Sequence, residues 1–296
     1  MESQAHDERV THLEKVATER VFSRKHDVWD VHTNRRRWWV ITRAGILSRI
    51  REKRVIVVLL FAWAPFLIRA IQIYASANFE QVAFLAPTPE MFREFLDQQN
   101  IFIFIVCIII GAGLIADDRR ANALQIYLSK PLTRVEYIAG KLATLAILLA
   151  FVTWLPAMLL LVLQMLFAGS TKFLREHLFL IPAVTLFAAT QVFVWSFAML
   201  ALSSLSKSRR FVAIMYAGIL FFTAAMYQAL RQITGSTAWA VISPRDTMNV
   251  IADGIFRIAS APRPIPVAAA VLAVIVLIVA AMLVLERRVR GVEVIT

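Results

Sequence analysis

Residues Ala116 to Lys141 read ADDRRANALQIYLSKPLTRVEYIAGK, a compact charged insert between two long apolar runs. Thr133 and Glu136 stand in the T-x-x-E spacing of a capping box, in which the threonine hydroxyl accepts from the backbone N–H three residues on and the glutamate reaches back. The spacing predicts a helix starting at Arg134. Pro131 cannot donate a backbone hydrogen bond and turns Lys130 away from helical angles, so a preceding helical segment is expected to end near Ser129. Ala121, Leu124 and Leu128 recur at helical spacing ahead of that break. Asp117, Asp118, Arg119 and Arg120 then fall in the first turn of the segment, where acids favour a helix N-terminus.

This pattern resembles the first cytoplasmic loop of the membrane subunits of ABC-2 type ATP-binding-cassette transporters. The likeness rests on acidic residues after the second apolar run, an apolar stretch, the segment Ser129-Lys130-Pro131-Leu132-Thr133-Arg134, an aromatic residue and Gly140-Lys141. It is close over about 25 residues and looser over residues 38 to 290. The resemblance implies a coupling helix near Pro131 to Tyr137 that docks on an ATPase subunit. Asp117, Asp118, Pro131, Leu132, Thr133, Arg134, Glu136 and Tyr137 are then the candidate coupling residues. It also implies a complex of two ATPase copies with a second permease, the same or homologous. ATP and magnesium would bind the ATPase, and no cofactor would bind this chain.

The rest of the chain suits an all-α polytopic membrane protein. Of its 296 residues 59% are hydrophobic, and its mean hydropathy is +0.67, against about 45–50% apolar residues in soluble domains. A net charge of +12 would point to nucleic acid in a soluble protein. In a membrane protein it points to arginine-rich cytoplasmic flanks, so the partner is the bilayer and not nucleic acid. Cys107 is the only cysteine, which excludes an intramolecular disulfide.

Six apolar runs approach the roughly 20 residues needed to cross a bilayer: Val55–Tyr74, Ile101–Ala116, Leu142–Phe167, Ala183–Leu202, Phe211–Leu230 and Val267–Leu285. The second is short, and Pro156 predicts a kink in the third. Arg69 and Gln72, near the outer end of the first, are expected to snorkel. Ahead of the first run lies RRRWWVITRAGILSRIREKR, Arg35 to Arg54. Trp38, Trp39, Ile41, Ile46, Leu47 and Ile50 are expected on one face and Arg43, Arg49 and Arg51 on the other, in an interfacial helix held by tryptophan at the headgroups and arginine at the anionic leaflet. It takes the place of the elbow helix that the resemblance implies. Trp38, Trp39, Arg43 and Arg49 are the candidate membrane-interface residues.

The expected organisation is therefore a polar cytoplasmic extension over 1–34, the elbow helix over 35–54, a six-span permease domain over 55–290 and a cytoplasmic tail over 291–296. The extension lacks the layout of a signal peptide. Its His6, His12, His26 and His32 match no metal motif, and its periodicity is compatible with either a short surface helix or disorder. Flanks and loops on the N-terminal side hold 19 lysines and arginines against 7 on the other side, which orients both termini inside a plasma or inner membrane. Two outer segments have helical patterns. In Met91–Gln99 the residues Met91, Phe92, Phe95 and Leu96 share one face. In the other, Ser243-Pro244-Arg245-Asp246 starts a helix that continues through Met248, Ile251 and Ile255 and is followed by the Pro-rich stretch Ala261–Pro266. Both suit either a lid or a bundle rim.

Catalytic motifs do not appear. Gly140-Lys141 lacks a P-loop, since Val135 replaces the first glycine and Leu142 follows the lysine. The spans carry Arg69, Gln72, Gln164, Gln191 and Gln228 but no acid, which disfavours an ion-driven carrier. Two alternatives stay open beside a permease that exports on ATP hydrolysis by a partner. One is an anchoring or assembly subunit of an ATPase complex without transport. The other is a magnesium-dependent membrane enzyme using Asp117 and Asp118, for which the second inner loop, Ser203 to Arg210, supplies no opposing acid.

Overall fold

The computed structural model of the chain describes residues 37–123, 133–167, 177–258 and 264–290. Six helical runs are long and apolar enough to cross a membrane: Lys53–Asn78, Pro89–Arg120, Arg134–Phe167, Leu180–Leu205, Arg209–Thr234 and Val267–Arg288. No strand occurs among the described residues. The protein is an all-α, integral multi-pass membrane protein, as the hydropathy requires.

Helix α1 (Arg37–Ile50) precedes the first run and lies at one end of the bundle, here called the α1 end. Span 1 is broken into α2 (Lys53–Phe61) and α3 (Ala64–Asn78) at Trp63, with Pro65 in the first turn of α3. The proline has no N–H to continue the ladder. Beside the break, the Ala62 carbonyl accepts from Gln99 Nε2 at 3.2 Å.

Span 2 shows why its apolar run is short. It begins a dozen residues early with α4 (Pro89–Gln98), capped by Thr88, and runs on through α5 (Asn100–Val106), one π-helical turn at Cys107–Gly111 and α6 (Gly113–Arg120). Met91, Phe92, Phe95 and Leu96 share one face of α4, and that face is buried in the bundle. Likewise the acids Asp117 and Asp118 lie in the closing turns of α6, not in the opening turn of a new helix. Asn122, at φ 51°, leaves the helix in the left-handed region that asparagine tolerates. Short-range spacing did not reveal this, because the transmembrane helix passes through the charged residues before stopping.

Span 3 starts at Arg134, as the capping box requires. Thr133 Oγ1 accepts from Glu136 N, and Glu136 reaches back to Thr133 N at 2.9 Å. It comprises α7 (Arg134–Val152) and α8 (Trp154–Phe167), broken at Thr153. Pro156 would have donated to the Val152 carbonyl and cannot, so the expected kink falls one turn before it. Span 4 is α9 (Leu180–Leu205). Span 5 is α10 (Arg209–Thr234), capped by Ser208 at its start and by left-handed Gly235 at its end. Helix α11 (Pro244–Ile255) opens on Ser243, which accepts from Asp246 N, and buries Met248 and Ile251. Span 6 belongs to α12 (Val267–Arg290).

Spans 2 and 4 form the core. Their apolar windows are 61% buried, against 11% in span 1 and 17% in spans 5 and 6. Spans 1, 5 and 6 therefore present apolar outer faces, which belong against lipid or protein. Helices α4 and α11 are tied together by Arg93 Nε and Asp253 Oδ1 at 2.9 Å, both side chains being mostly buried. They pack into the end of the bundle opposite α1. Arg69 donates to Gln72 at 2.9 Å and pairs with Glu94 of α4 at 3.1 Å.

Candidate functional site: a polar cluster at the α1 end

The charged residues of the insert and of α1 converge at one end of the bundle. Asp118 Oδ2 accepts from Tyr137 Oη at 2.7 Å and pairs with Lys141 Nζ at 2.6 Å. Tyr137 and Lys141 are one helical turn apart on α7, and the ammonium lies 5.6 Å from the centroid of the phenol ring. A buried tyrosine, a mostly buried lysine and one carboxylate thus fasten the end of span 2 to the start of span 3. A charge-assisted contact of this kind is stronger than a neutral one, and breaking it leaves a charge without its partner.

Asp117, next in sequence and turned by a third of a helical circle, faces a different partner. Arg49 of α1 reaches its Oδ2 at 3.3 Å and holds Glu52 at 2.9 Å. Arg49 is only 14% exposed at its side chain, so it does not join Arg43 on the solvent-facing side as helical spacing alone predicts. The expected apolar face of α1 is also divided. Trp39, Leu47 and Ile50 are exposed, whereas Thr42 is fully buried. Nor do the aspartates pair with their neighbours Arg119 and Arg120. Arg119 Nη1 instead donates to the Ser204 carbonyl at the end of span 4.

Thr42 is buried because α1 sits against α7 at close range. Its hydroxyl lies 2.9 Å from the Trp38 carbonyl and 3.1 Å from the Gly140 carbonyl. Thr144 Oγ1 donates to the same Gly140 carbonyl at 2.8 Å. A Cβ on Gly140 would lie 2.9 Å from the Trp38 carbonyl oxygen, and one on Gly45 would lie 2.7 Å from Thr144 Oγ1. Small residues allow the two backbones to approach, and the threonines bond across the contact, which is how helices associate where solvent gives no apolar driving force.

Span 4 adds a cap from the side. After the π-helical turn the hydrogen-bond ladder restarts at α6, which leaves its first N–H groups without intrahelical partners. Ser203 Oγ accepts from Ile115 N and Ala116 N, both at 3.1 Å, and donates to the Ala112 carbonyl at 2.9 Å. Through Ser203 and Arg119, the end of span 4 is bonded to the last two turns of span 2.

Of the candidate coupling residues, Asp117, Asp118 and Tyr137 thus belong to the cluster. Thr133, Arg134 and Glu136 form its edge as the first turn of α7, where Val135 is 75% exposed. Pro131 and Leu132 lie outside the described residues, as does the break expected near Ser129. Within the described part, Thr133–Tyr137 opens the long helix of span 3. Trp38 and Trp39 stack edge to face on α1 with centroids 5.8 Å apart, and Arg43 is exposed beside them.

Sequence reasoning placed Arg49 at the membrane interface and Lys141 in the motif without finding their partners Asp117 and Asp118, and it missed Ser203, Ser204 and the Gly45–Thr144 contact. The four-residue separation of Tyr137 and Lys141 and the Gly140-x-x-x-Thr144 spacing carried a signal. The serines carried none, because their partners lie almost 90 residues away. The arrangement also bears on magnesium chemistry at Asp117 and Asp118. Both carboxylates are engaged by cations, and among the described residues no group of three or more His, Cys, Asp or Glu side chains could hold a metal ion.

Comparison with known proteins gives one family. The model for the ABC-2 family transporter protein matches residues 39–289. No curated protein matches the chain.

Proposed function

The chain belongs to the ABC-2 transporter family, whose match spans residues 39–289, and from that premise we propose that it is the permease half of an exporter driven by ATP hydrolysis in separate subunits. Two ATPase copies, carrying ATP and magnesium, serve a pair of permeases formed by this chain and a second copy or homologue. The α1 end faces the cytoplasm of a plasma or inner membrane, in agreement with the bias of lysine and arginine toward that side.

The observation that carries the reading is the Asp118–Tyr137–Lys141 contact at the root of the insert. A force applied to the first turn of α7, where Thr133 and Val135 are exposed, passes through a rigid capped helix into Asp118 and so into span 2. The Arg49–Asp117 pair passes it to α1. Spans 2 and 4, which form the core, are bonded at this same end through Ser203 and Arg119. They therefore move together when the ATPase subunits close. The work of the chain is mechanical: conversion of partner closure into a rearrangement of packed helices.

The test is purification of the tagged full-length chain from its native membrane. An ATPase subunit and a permease partner are expected to accompany it, and the chain stripped of them is expected to hydrolyse no ATP. Hydrolysis by the isolated chain would contradict the proposal.

A further inference from the structure

An apolar groove of about 630 Å³ lies between α1, span 3 and span 4. Its floor is made of alanines: Ala139, Ala143, Ala146 and Ala150 recur at four, three and four residues along α7, facing Ala188 and Ala189 of α9. Trp38 and Trp39 stand at its α1 end, and Trp154, the lining residue farthest along span 3, stands at the other. From Ala139 to Trp154 the helix rises roughly 22 Å, somewhat more than the roughly 15 Å of hydrocarbon in one leaflet.

The two ends differ in chemistry. At the deep end the one indole N–H in reach is already spent, since Trp154 Nε1 donates to Thr185 Oγ1 at 3.2 Å. That end offers a ligand only hydrocarbon contact. The α1 end is rimmed by a helix, RWWVITRAGILSRI, that contains arginines and no acid. Arg49 is spent on Asp117 and Glu52, but Arg43 is exposed, one turn beyond the Trp39 that lines the groove. A channel that is apolar along its length, about one leaflet deep, and positive with interfacial indoles at its mouth complements an acyl chain whose headgroup is an anion.

We propose that this groove seats one acyl chain of an anionic phospholipid, with its phosphate at the level of Trp38, Trp39 and Arg43. The seated lipid covers the junction of α1 with α7, the element that receives the partner's motion. To that extent the proposal rests on the permease reading, while the binding itself needs neither ATP nor a partner. A second copy of the chain is a poorer occupant, because the groove's floor is recessed between two helices and its mouth carries positive charge.

The experiment reconstitutes the full chain into phosphatidylcholine vesicles containing either phosphatidylglycerol or phosphatidylcholine dibrominated in the middle of the acyl chains. The Trp154 emission is isolated as the difference between wild type and Trp154→Phe. Half-quenching is expected at a roughly fivefold lower fraction of the brominated anionic lipid, the discrimination expected from one arginine near the surface. Arg43→Gln is expected to abolish the preference and retain the quenching. Ala146→Leu, which fills the floor, is expected to weaken quenching by both lipids while far-UV circular dichroism stays unchanged. Equal curves for the two headgroups in wild type would overturn the proposal. So would absence of quenching by either lipid, which would mean that protein covers the groove. Neither result depends on transport or ATP hydrolysis, so failure here leaves the coupling reading standing, and the converse holds.

Discussion

Adding a single methyl group to either glycine of the α1–α7 contact is predicted to separate the two helices, and the two glycines are predicted to differ in whether the damage can be repaired. In Gly45→Ala the new Cβ would lie 2.7 Å from Thr144 Oγ1 and 3.0 Å from Thr144 Cγ2, whereas carbon contacts are comfortable at about 3.5–4.0 Å. Rotating Thr144 does not help, because it exchanges one close atom for the other. The expected cost is about 1–3 kcal/mol, the usual range for an overpacked contact. Adding Thr144→Ala removes both close atoms and leaves the residue 144 Cβ at 3.4 Å, an ordinary contact. The double variant should therefore recover most of the loss, less about 0.5–1.5 kcal/mol for the hydroxyl's bond to the Gly140 carbonyl. In Gly140→Ala the close atoms are Ile41 Cβ at 2.8 Å, Ile41 Cγ2 at 2.9 Å and the Trp38 carbonyl oxygen at 2.9 Å; Ile41→Ala removes only the Cγ2 and leaves the other two clashes in place. That pair should show no rescue. Thermal unfolding of the purified full chain, followed by tryptophan fluorescence, reads the series, with a shift of about 2–4 °C for each kcal/mol. Rescue of Gly140→Ala by Ile41→Ala, or failure of Thr144→Ala to rescue Gly45→Ala, would refute the geometry.

The two aspartates should separate in the same assay. Asp118→Ala strands the mostly buried Lys141 and is expected to cost about 3 kcal/mol, whereas Asp117→Ala loosens a longer, half-exposed pair and is expected to cost about 0–1 kcal/mol. Ser203→Ala removes the acceptor shared by Ile115 N and Ala116 N. It is expected to cost about 1–3 kcal/mol and to speed hydrogen exchange at those two amides over others in α6. For orientation, single cysteines at Ser48 and Asn78, both exposed in the structure, are introduced into a Cys107→Ser background. An impermeant thiol reagent applied to intact cells should label the cysteine at 78 and spare that at 48; the reverse pattern would invert the topology.

The fold was legible in the sequence wherever one residue type has one physical consequence. Apolar runs of sufficient length became spans, Thr133 with Glu136 fixed the start of α7, Ser243-Pro244 fixed the start of α11, and Pro156 marked a break. The departures share a cause. Span 2 looks short in sequence because Met91–Gln99 mixes charged and apolar residues, yet its apolar face is buried by other spans that no local window contains. Sequence alone places Asp117 and Asp118 at a helix N-terminus because acids favour it. The partners that hold them at a helix end of opposite polarity, Arg49 and Lys141, lie on other elements. The same holds for the site: its residues near the insert could be named from spacing, but the contacts that make it a unit come from Thr42, Ser203 and Ser204, which have ordinary neighbours in sequence and meet their partners only after the spans have packed.

The central claim is that the first turn of α7 receives an ATPase and that Asp118 carries its motion into span 2. The most direct measurement uses the complex purified from native membrane and compares capture and ATP hydrolysis in Arg134→Glu and Asp118→Asn with wild type. Arg134→Glu alters the exposed docking turn and is expected to weaken retention of the ATPase at least about tenfold, or 1.4 kcal/mol. Asp118→Asn lies behind that turn and is expected to retain the ATPase while its hydrolysis no longer responds to the permease. Undiminished capture by Arg134→Glu together with wild-type regulation in Asp118→Asn would contradict the account.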